Sequence, residues 1–447
     1  MKLKDIIIKN ACLITGDGRV FGSGCVHASG GFVEHVGDEA DIRLAAKGKA
    51  HVIDAGGRYV LPGFINPHMH FYGLFARGMP VPRMRSLGRV LEGLWWDLDK
   101  RLSRDDVFIS AIAGGVEAVK AGVTTVFDHH ASYGAVSGSL RTIAKALGAA
   151  GIRASLSYEI SDRAGKRKRD EAIAESGGFL DEIRSSSFPG SKVRSMVGLH
   201  ASMTLSDGTL DAARELMDIY GAGAHVHVAE GQEDVRTTQK LNGMTPVERL
   251  FRAGILRRGS LAVHCVHVGK RDINLLRKSK AAVVHNPLSN FNNAVGTAPV
   301  PAFFRRGVPV AIGTDGMSAG VGCDIRTASV IHRASLRDAQ ALGEEFRGSV
   351  WETAPEIASA QFGVRIGTIS KGAAADMIIS DASPQTEVTP HNAWWHTLFG
   401  VLTAPVRTTI IAGSIRMRDF KIVGIDEAAV AREARVLSAA LWKRRSV

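Results

Sequence analysis

Along the first sixty residues, apolar and polar positions alternate in short runs broken by turn residues. The runs are Asp5 to Ile14, Gly31 to Val36, His51 to Ile53 and Tyr59 to Leu61, with a glycine-rich stretch at Gly22 to Gly24. Alternation sorts side chains onto the two faces of a strand, so a small sheet is predicted here. From Gly63 onward strand, loop and helix recur, the signal of parallel βαβ units. Eight apolar runs fit strands: Gly63 to His68, Thr124 to Asp128, Arg153 to Tyr158, Ser195 to Leu199, Ala224 to Val228, Leu261 to Val266, Ala281 to His285 and Val308 to Gly313. Eight parallel strands close a barrel.

Between them, apolar residues recur at spacings of three and four over Asp105 to Ala121, Leu140 to Ala149, Thr209 to Tyr220, Pro246 to Arg252, Asp272 to Lys278 and Val300 to Arg306, which predicts helices on the outside of the barrel. Beyond Asp315 come helical stretches at Ile325 to Leu342 and Ser349 to Ser359, then strand character at Asp376 to Ser380 and Thr408 to Arg416, and a last helix from about Glu427 to Trp442. The expected architecture is α/β: a (β/α)8 TIM-like barrel over residues 61–364, and a smaller β-rich domain formed by residues 1–60 and 365–447. The 447 residues suffice for both.

With 45% hydrophobic and 22% charged residues, the chain has the composition of an ordinary globular protein, which excludes disorder as the default. The net charge of +12 is scattered, apart from Lys166–Arg169 and Lys443–Arg445, and no nucleic-acid motif accompanies it, so no nucleic-acid partner is expected. Cys12, Cys25, Cys265 and Cys323 lie far apart without CxxC spacing, which argues against a disulfide framework and a zinc knuckle and points to a reducing cytoplasm. Lys2, Lys4, Asp5 and Lys9 interrupt the first apolar run, so neither a signal peptide nor a membrane span is expected. A homodimer is the expected assembly.

Barrel enzymes carry their reactive groups at the C-terminal ends of the strands. His68 and His70 end the first strand on one face, a two-ligand claw for a borderline metal such as zinc. His225 and His227 share a face of the fifth strand, with Glu230 three residues on, and the eighth ends in Gly313-Thr314-Asp315-Gly316, where flanking glycines would allow a sharp turn. His200, His264 and His285 end the fourth, sixth and seventh strands. Any one of these is weak, since a lone histidine is usually a satisfied core residue. Their conjunction at strand ends points to a metal site.

These motifs resemble the amidohydrolase superfamily, and within it the branch of cytosine, guanine and adenosine-type deaminases and triazine hydrolases. The resemblance is carried by Pro62 to His70, Gly122 to Thr125, His225 to Glu230, His264 to His267, Asn286 to Asn290, Gly313 to Gly316 and Gly367 to Met377. His70 to Tyr72, Ala76 to Gly78 and Leu91 to Leu98 are most similar to the aminohydrolases called SsnA. The resemblance implies one divalent metal held by His68, His70, His227 and Asp315, zinc by ligand type with iron or manganese as alternatives. It further implies Glu230 as general acid and base, His264 as the residue that orients the attacking water, Asp315 as ligand and proton acceptor, and His200 as substrate-facing. Relatives with two metals bridge them with a lysine on the fourth strand, and Val193 to Thr204 contains none.

The excursion from Phe71 to Ser103 is long for a loop leaving a first strand, so Tyr72, Arg77, Trp95 and Trp96 are lid candidates, with Tyr72 and Trp96 as substrate contacts; the tryptophans also suit a packing role. His129, His130 and Glu159 fall on the same face, His225 reads best as a support or packing residue, and Cys265 as packing. The function expected is hydrolytic deamination of a small planar nitrogen heterocycle, purine- or pterin-like. The alternatives are a ring-amide hydrolase or hydrolytic dechlorinase of the triazine type, and a catalytically silent binding protein, against which the intact ligands and Glu230 count.

Overall fold

The structure, a computed structural model, describes residues 5–38, 50–185, 192–316 and 318–444. Lys2, Lys4 and Arg445, counted above among the terminal charges, lie outside the described residues.

Eight parallel strands form the central sheet: β1 (Phe64–Met69), β2 (Val123–His130), β3 (Arg153–Ile160), β4 (Val197–Ala201), β5 (Ala224–Val228), β6 (Leu261–His264), β7 (Ala282–His285) and β8 (Val310–Ile312). Every residue of β2 and β3 is buried, because helices cover the outside and side chains fill the inside. Closure is made by one bridge, Met69 to Asp315, where the N–H groups of Thr314 and Asp315 both donate to the His68 carbonyl. That contact joins the two halves of the predicted metal site.

The second sheet runs in the order Lys421–Ile422, Ser414–Arg418, Val406–Ile411, Met377–Ser380, Tyr59–Pro62, Ile6–Ile14, Val20–Ser29, Phe32–Asp38, with His51–Asp54 pairing beside Ile6–Ile14. The two chain ends meet where Met377 pairs with Pro62 and Ile378 with Leu61. A buried ion pair between Arg153 of β3 and Asp376 ties this sheet to the barrel. The final helix, Glu427–Lys443, packs on Arg104–Lys120, and Trp442 Nε1 donates to the Phe75 carbonyl at 2.8 Å.

Several elements differ from the sequence reading, among them the run Thr408 to Arg416, which is two antiparallel strands, Val406–Ile411 and Ser414–Arg418. The glycine-rich stretch Gly22–Gly24 lies within a strand, Val20–Ser29, where the pairing register shifts opposite Ala11 to Leu13. The helices Lys166–Arg184 and Gln232–Asn242 bury only small stripes, Asp234 and Thr238 alone in the second, so their apolar period is faint. On Lys166–Arg184 the basic run pairs with Asp170, Glu171 and Asp162, a solvated face rather than a docking patch.

Candidate active site

The strand ends hold their chemistry on strained backbone. Ala229, His264, Cys265 and Asp315 all have positive φ, at 48°, 71°, 51° and 59°, although none is glycine. The sharp turn after β8 therefore sits on Asp315 itself and not on its flanking glycines. Those glycines provide room instead. A Cβ on Gly313 would stand 2.6 Å from Asn286 Oδ1, and one on Gly316 would stand 2.6 Å from the Trp95 ring.

Hydrogen bonds made behind the imidazoles fix which nitrogen faces forward. His70 Nδ1 donates to the His129 carbonyl and His227 Nδ1 to the His200 carbonyl at 2.9 Å. For His68 the chain is longer. Ser157 Oγ gives its only proton to the Asp128 carbonyl, at 2.9 Å, so it accepts from His225 Nδ1 at 3.2 Å. His225 Nε2 must then accept from His68 Nδ1, at 2.8 Å. All three rings of His68, His70 and His227 are thereby set to present Nε2 lone pairs to one point, which makes His225 a supporting residue.

Asp315 completes the cluster. Its Oδ1 lies 2.9 Å from His70 Nε2 and 3.4 Å from His68 Nε2, and the donor atoms of His68, His70, His227 and Asp315 all fall within 4.8 Å of one another. His68 Nε2 is buried and makes no hydrogen bond. Burial pushes His68, His225 and His227 well below the ordinary imidazole range, so His68 and His227 suit neutral ligands and His225 a neutral support behind them. At His70, burial is outweighed by the Asp315 carboxylate, which holds the imidazole above its ordinary range. Three buried imidazoles and one carboxylate with no cation among them fit a divalent metal ion.

Beside this cluster, His264 Nε2 lies 3.7 Å from Glu230 Oε2 and 3.9 Å from Asp315 Oδ2, while its Nδ1 donates to Asn290 Oδ1 at 2.8 Å. Asp315 Oδ2 accepts from Ser289, and Glu230 Oε1 accepts from Asn293 Nδ2 at 3.2 Å. Burial raises the Glu230 carboxyl above its ordinary range, which equips it to carry a proton.

A cleft enclosing about 680 Å³, partly open to solvent, leads to these groups. His70, His227, Glu230, His264 and Asp315 line one part; Tyr72, Trp95, Trp96, His200, Glu159 and Asp99 line another. The segment Leu87–Arg101, helical throughout, supplies Leu87 and Leu91 as well as both tryptophans. Not all candidates belong here. Arg77 is turned away in a pair with Glu117 at 2.6 Å. His285 packs against His332, its Nε2 3.3 Å from that of His332, and His130 bonds Ser132 at 2.8 Å. Asn293, Met203 and Asp99 went unremarked because nothing in their neighbourhood repeats or spaces like a motif.

The amidohydrolase family model matches residues 59–416, most of the chain. The chain belongs to the amidohydrolase family. Among curated members it is 31% identical over 438 residues, 97% of both chains, to the 5'-deoxyadenosine deaminase of Methanosarcina mazei. It is 30% identical over 421 residues, 92% of this chain and 94% of the other, to the 5-methylthioadenosine/S-adenosylhomocysteine deaminase of Thermococcus sibiricus. Among solved structures, an adenosine deaminase from Xanthomonas campestris with bound zinc superposes with a TM-score of 0.86 at 24% identity, covering 99% of each chain, a likeness of fold. No helix among the described residues is long and apolar enough to cross a membrane.

Proposed function

We propose that this amidohydrolase is a hydrolytic deaminase of a planar nitrogen heterocycle, with adenine-type nucleosides as the substrate class. The carrying observation is Glu230, a partly buried carboxyl held above its ordinary range, its Oε2 3.7 Å from His264 Nε2 at the edge of a cluster suited to a metal ion. The names of the full-length relatives support the substrate class.

His68, His70, His227 and Asp315 would hold the metal, zinc by its three nitrogen donors and one oxygen, with iron or manganese as alternatives; the absence of lysine from Val193 to Thr204 favours one ion. A divalent cation there supplies Lewis acidity, lowering the pKa of water to about 7. Asp315 would accept the proton of the attacking water, and His264, whose Nε2 lies 3.9 Å from Asp315 Oδ2, would orient that water. Glu230 delivers its proton to the ring nitrogen, Asp315 passes the proton taken from water to the exocyclic amine, which leaves as ammonia as its bond to carbon breaks, and the added hydroxyl returns its proton to Glu230 as it becomes the ring carbonyl. Tyr72, Trp95 and Trp96 give flat apolar faces against which a heterocycle can lie. The four cysteines, three of them buried, form no disulfide in the structure, which fits a reducing cytoplasm.

The test is release of ammonia by the metal-replete protein from adenosine and 5'-deoxyadenosine, run beside chloride release from a chlorotriazine and ring opening of a cyclic amide. Ammonia from the nucleosides supports the proposal. Chloride release or ring opening without ammonia would replace it with the triazine-type or ring-amide reading.

A further inference from the structure

One wall of the cleft is organised around a single guanidinium. Arg163 donates through Nε and Nη2 to Glu159 Oε1, at 3.1 and 2.8 Å, and through Nη1 and Nη2 to the Asp99 carboxylate. Its plane lies 4.3 Å from the Tyr133 ring centre and 5.3 Å from that of Trp96, and only 5% of the side chain is exposed. With every nitrogen engaged and its faces against aromatic rings, Arg163 has no freedom to turn toward an anionic ligand.

Two acceptors of this wall belong to residues that line the cleft. Glu159 lines the cleft, and its Oε2 makes no hydrogen bond to the described residues, both Arg163 bonds falling on Oε1. Burial pushes this carboxyl up, but the charge of Arg163 beside it helps hold it below its ordinary range, ionised near neutrality. On the neighbouring strand, where Gly198 is in register with Glu159, His200 follows the same logic. Thr204 Oγ1 gives its proton to the Ala201 carbonyl at 3.0 Å, so it accepts from His200 Nδ1 at 2.7 Å, and the neutral ring is left with a lone pair on Nε2.

We propose that Glu159 is a specificity-determining residue whose Oε2, together with His200 Nε2, accepts hydrogen bonds from hydroxyl or N–H donors on the part of the substrate that does not react. The enzyme then takes neutral, donor-bearing nucleosides in preference to their phosphates, since a phosphate placed there would face the Glu159 carboxylate and the His200 lone pair. This rests on the deaminase reading above.

The test is ammonia release from adenosine and from adenosine 5'-monophosphate by wild type, Glu159→Gln and Glu159→Asp. Glu159→Gln should raise KM for adenosine about tenfold with kcat little changed, and narrow the preference over the monophosphate by about tenfold. Glu159→Asp, which keeps the charge and shortens the reach, should raise KM while retaining the discrimination; it decides the matter if the glutamine variant fails to fold. Unchanged KM and unchanged discrimination in the folded variants, or a fall in kcat with KM unchanged, would overturn the inference and leave Glu159 only as the partner of Arg163. Wild type that releases ammonia from neither compound overturns the deaminase reading, and this inference with it.

Discussion

On the β1, β5 and β8 side of the cleft, each imidazole is fixed from behind by a main-chain carbonyl or by another buried histidine. On the β3 and β4 side, Glu159, Arg163 and Asp99 are fixed by one another and by the aromatic rings around them. The first arrangement holds atoms where a reaction needs them, because its supports belong to the barrel sheet itself. The second recognises what enters, and it depends on the Leu87–Arg101 segment, which carries Asp99 and Trp96 over the barrel mouth. Substitutions on the two sides should therefore fail differently.

The largest effect is expected at Glu230. Glu230→Gln should lower kcat by about 10²–10⁴-fold with metal content unchanged, since the amide cannot move a proton; metal analysis beside ammonia release checks it, and loss of metal would place Glu230 among the ligands instead. Next comes the support behind His68. His225→Ala should weaken metal affinity by about 10–100-fold, read by competition with a chromogenic chelator, because His68 Nδ1 loses its acceptor. Unchanged affinity would mean that the Ser157–His225–His68 chain does not tune the site.

The buried histidines also predict a pH dependence. Burial lowers His129 and His130 to about 3. As pH falls below about 6.5 the unfolded chain takes up protons that the folded chain refuses, so stability is present at neutral pH and lost toward acid, about 2 kcal/mol for each imidazole by pH 5. Among the described residues the His130 ring hydrogen-bonds only Ser132, so His130→Gln should flatten the difference between urea midpoints at pH 7 and pH 5; an unaltered slope would contradict the assignment. The smallest effects separate the two walls directly. His264→Asn should lower kcat about tenfold and His200→Asn should raise KM about tenfold, as steady-state kinetics would show. The reverse split would exchange their roles.

The same contrast governs what the sequence made legible. Strand alternation places His68 beside His70 on one face, and the barrel rule places strand ends together, so the donor cluster could be read from spacing and from the resemblance. The tautomer chain through Ser157 could not be, because it joins β1, β2, β3 and β5 in a register that only the folded sheet defines. Glu159 was seen to face the right way, but its engagement with Arg163 and Asp99 depends on a helical excursion whose docking has no local signature. Glycine roles were half-legible. The glycines around Asp315 signalled a tight place, yet the strain fell on the aspartate and the glycines supplied space.

The central claim is that four side chains converge to hold one divalent ion. Native mass spectrometry of wild-type protein purified without chelators measures that directly. The account predicts a mass excess of one divalent ion per chain, lost on removing His68 by substitution to alanine. Two ions per chain, none, or one that persists in His68→Ala would contradict it.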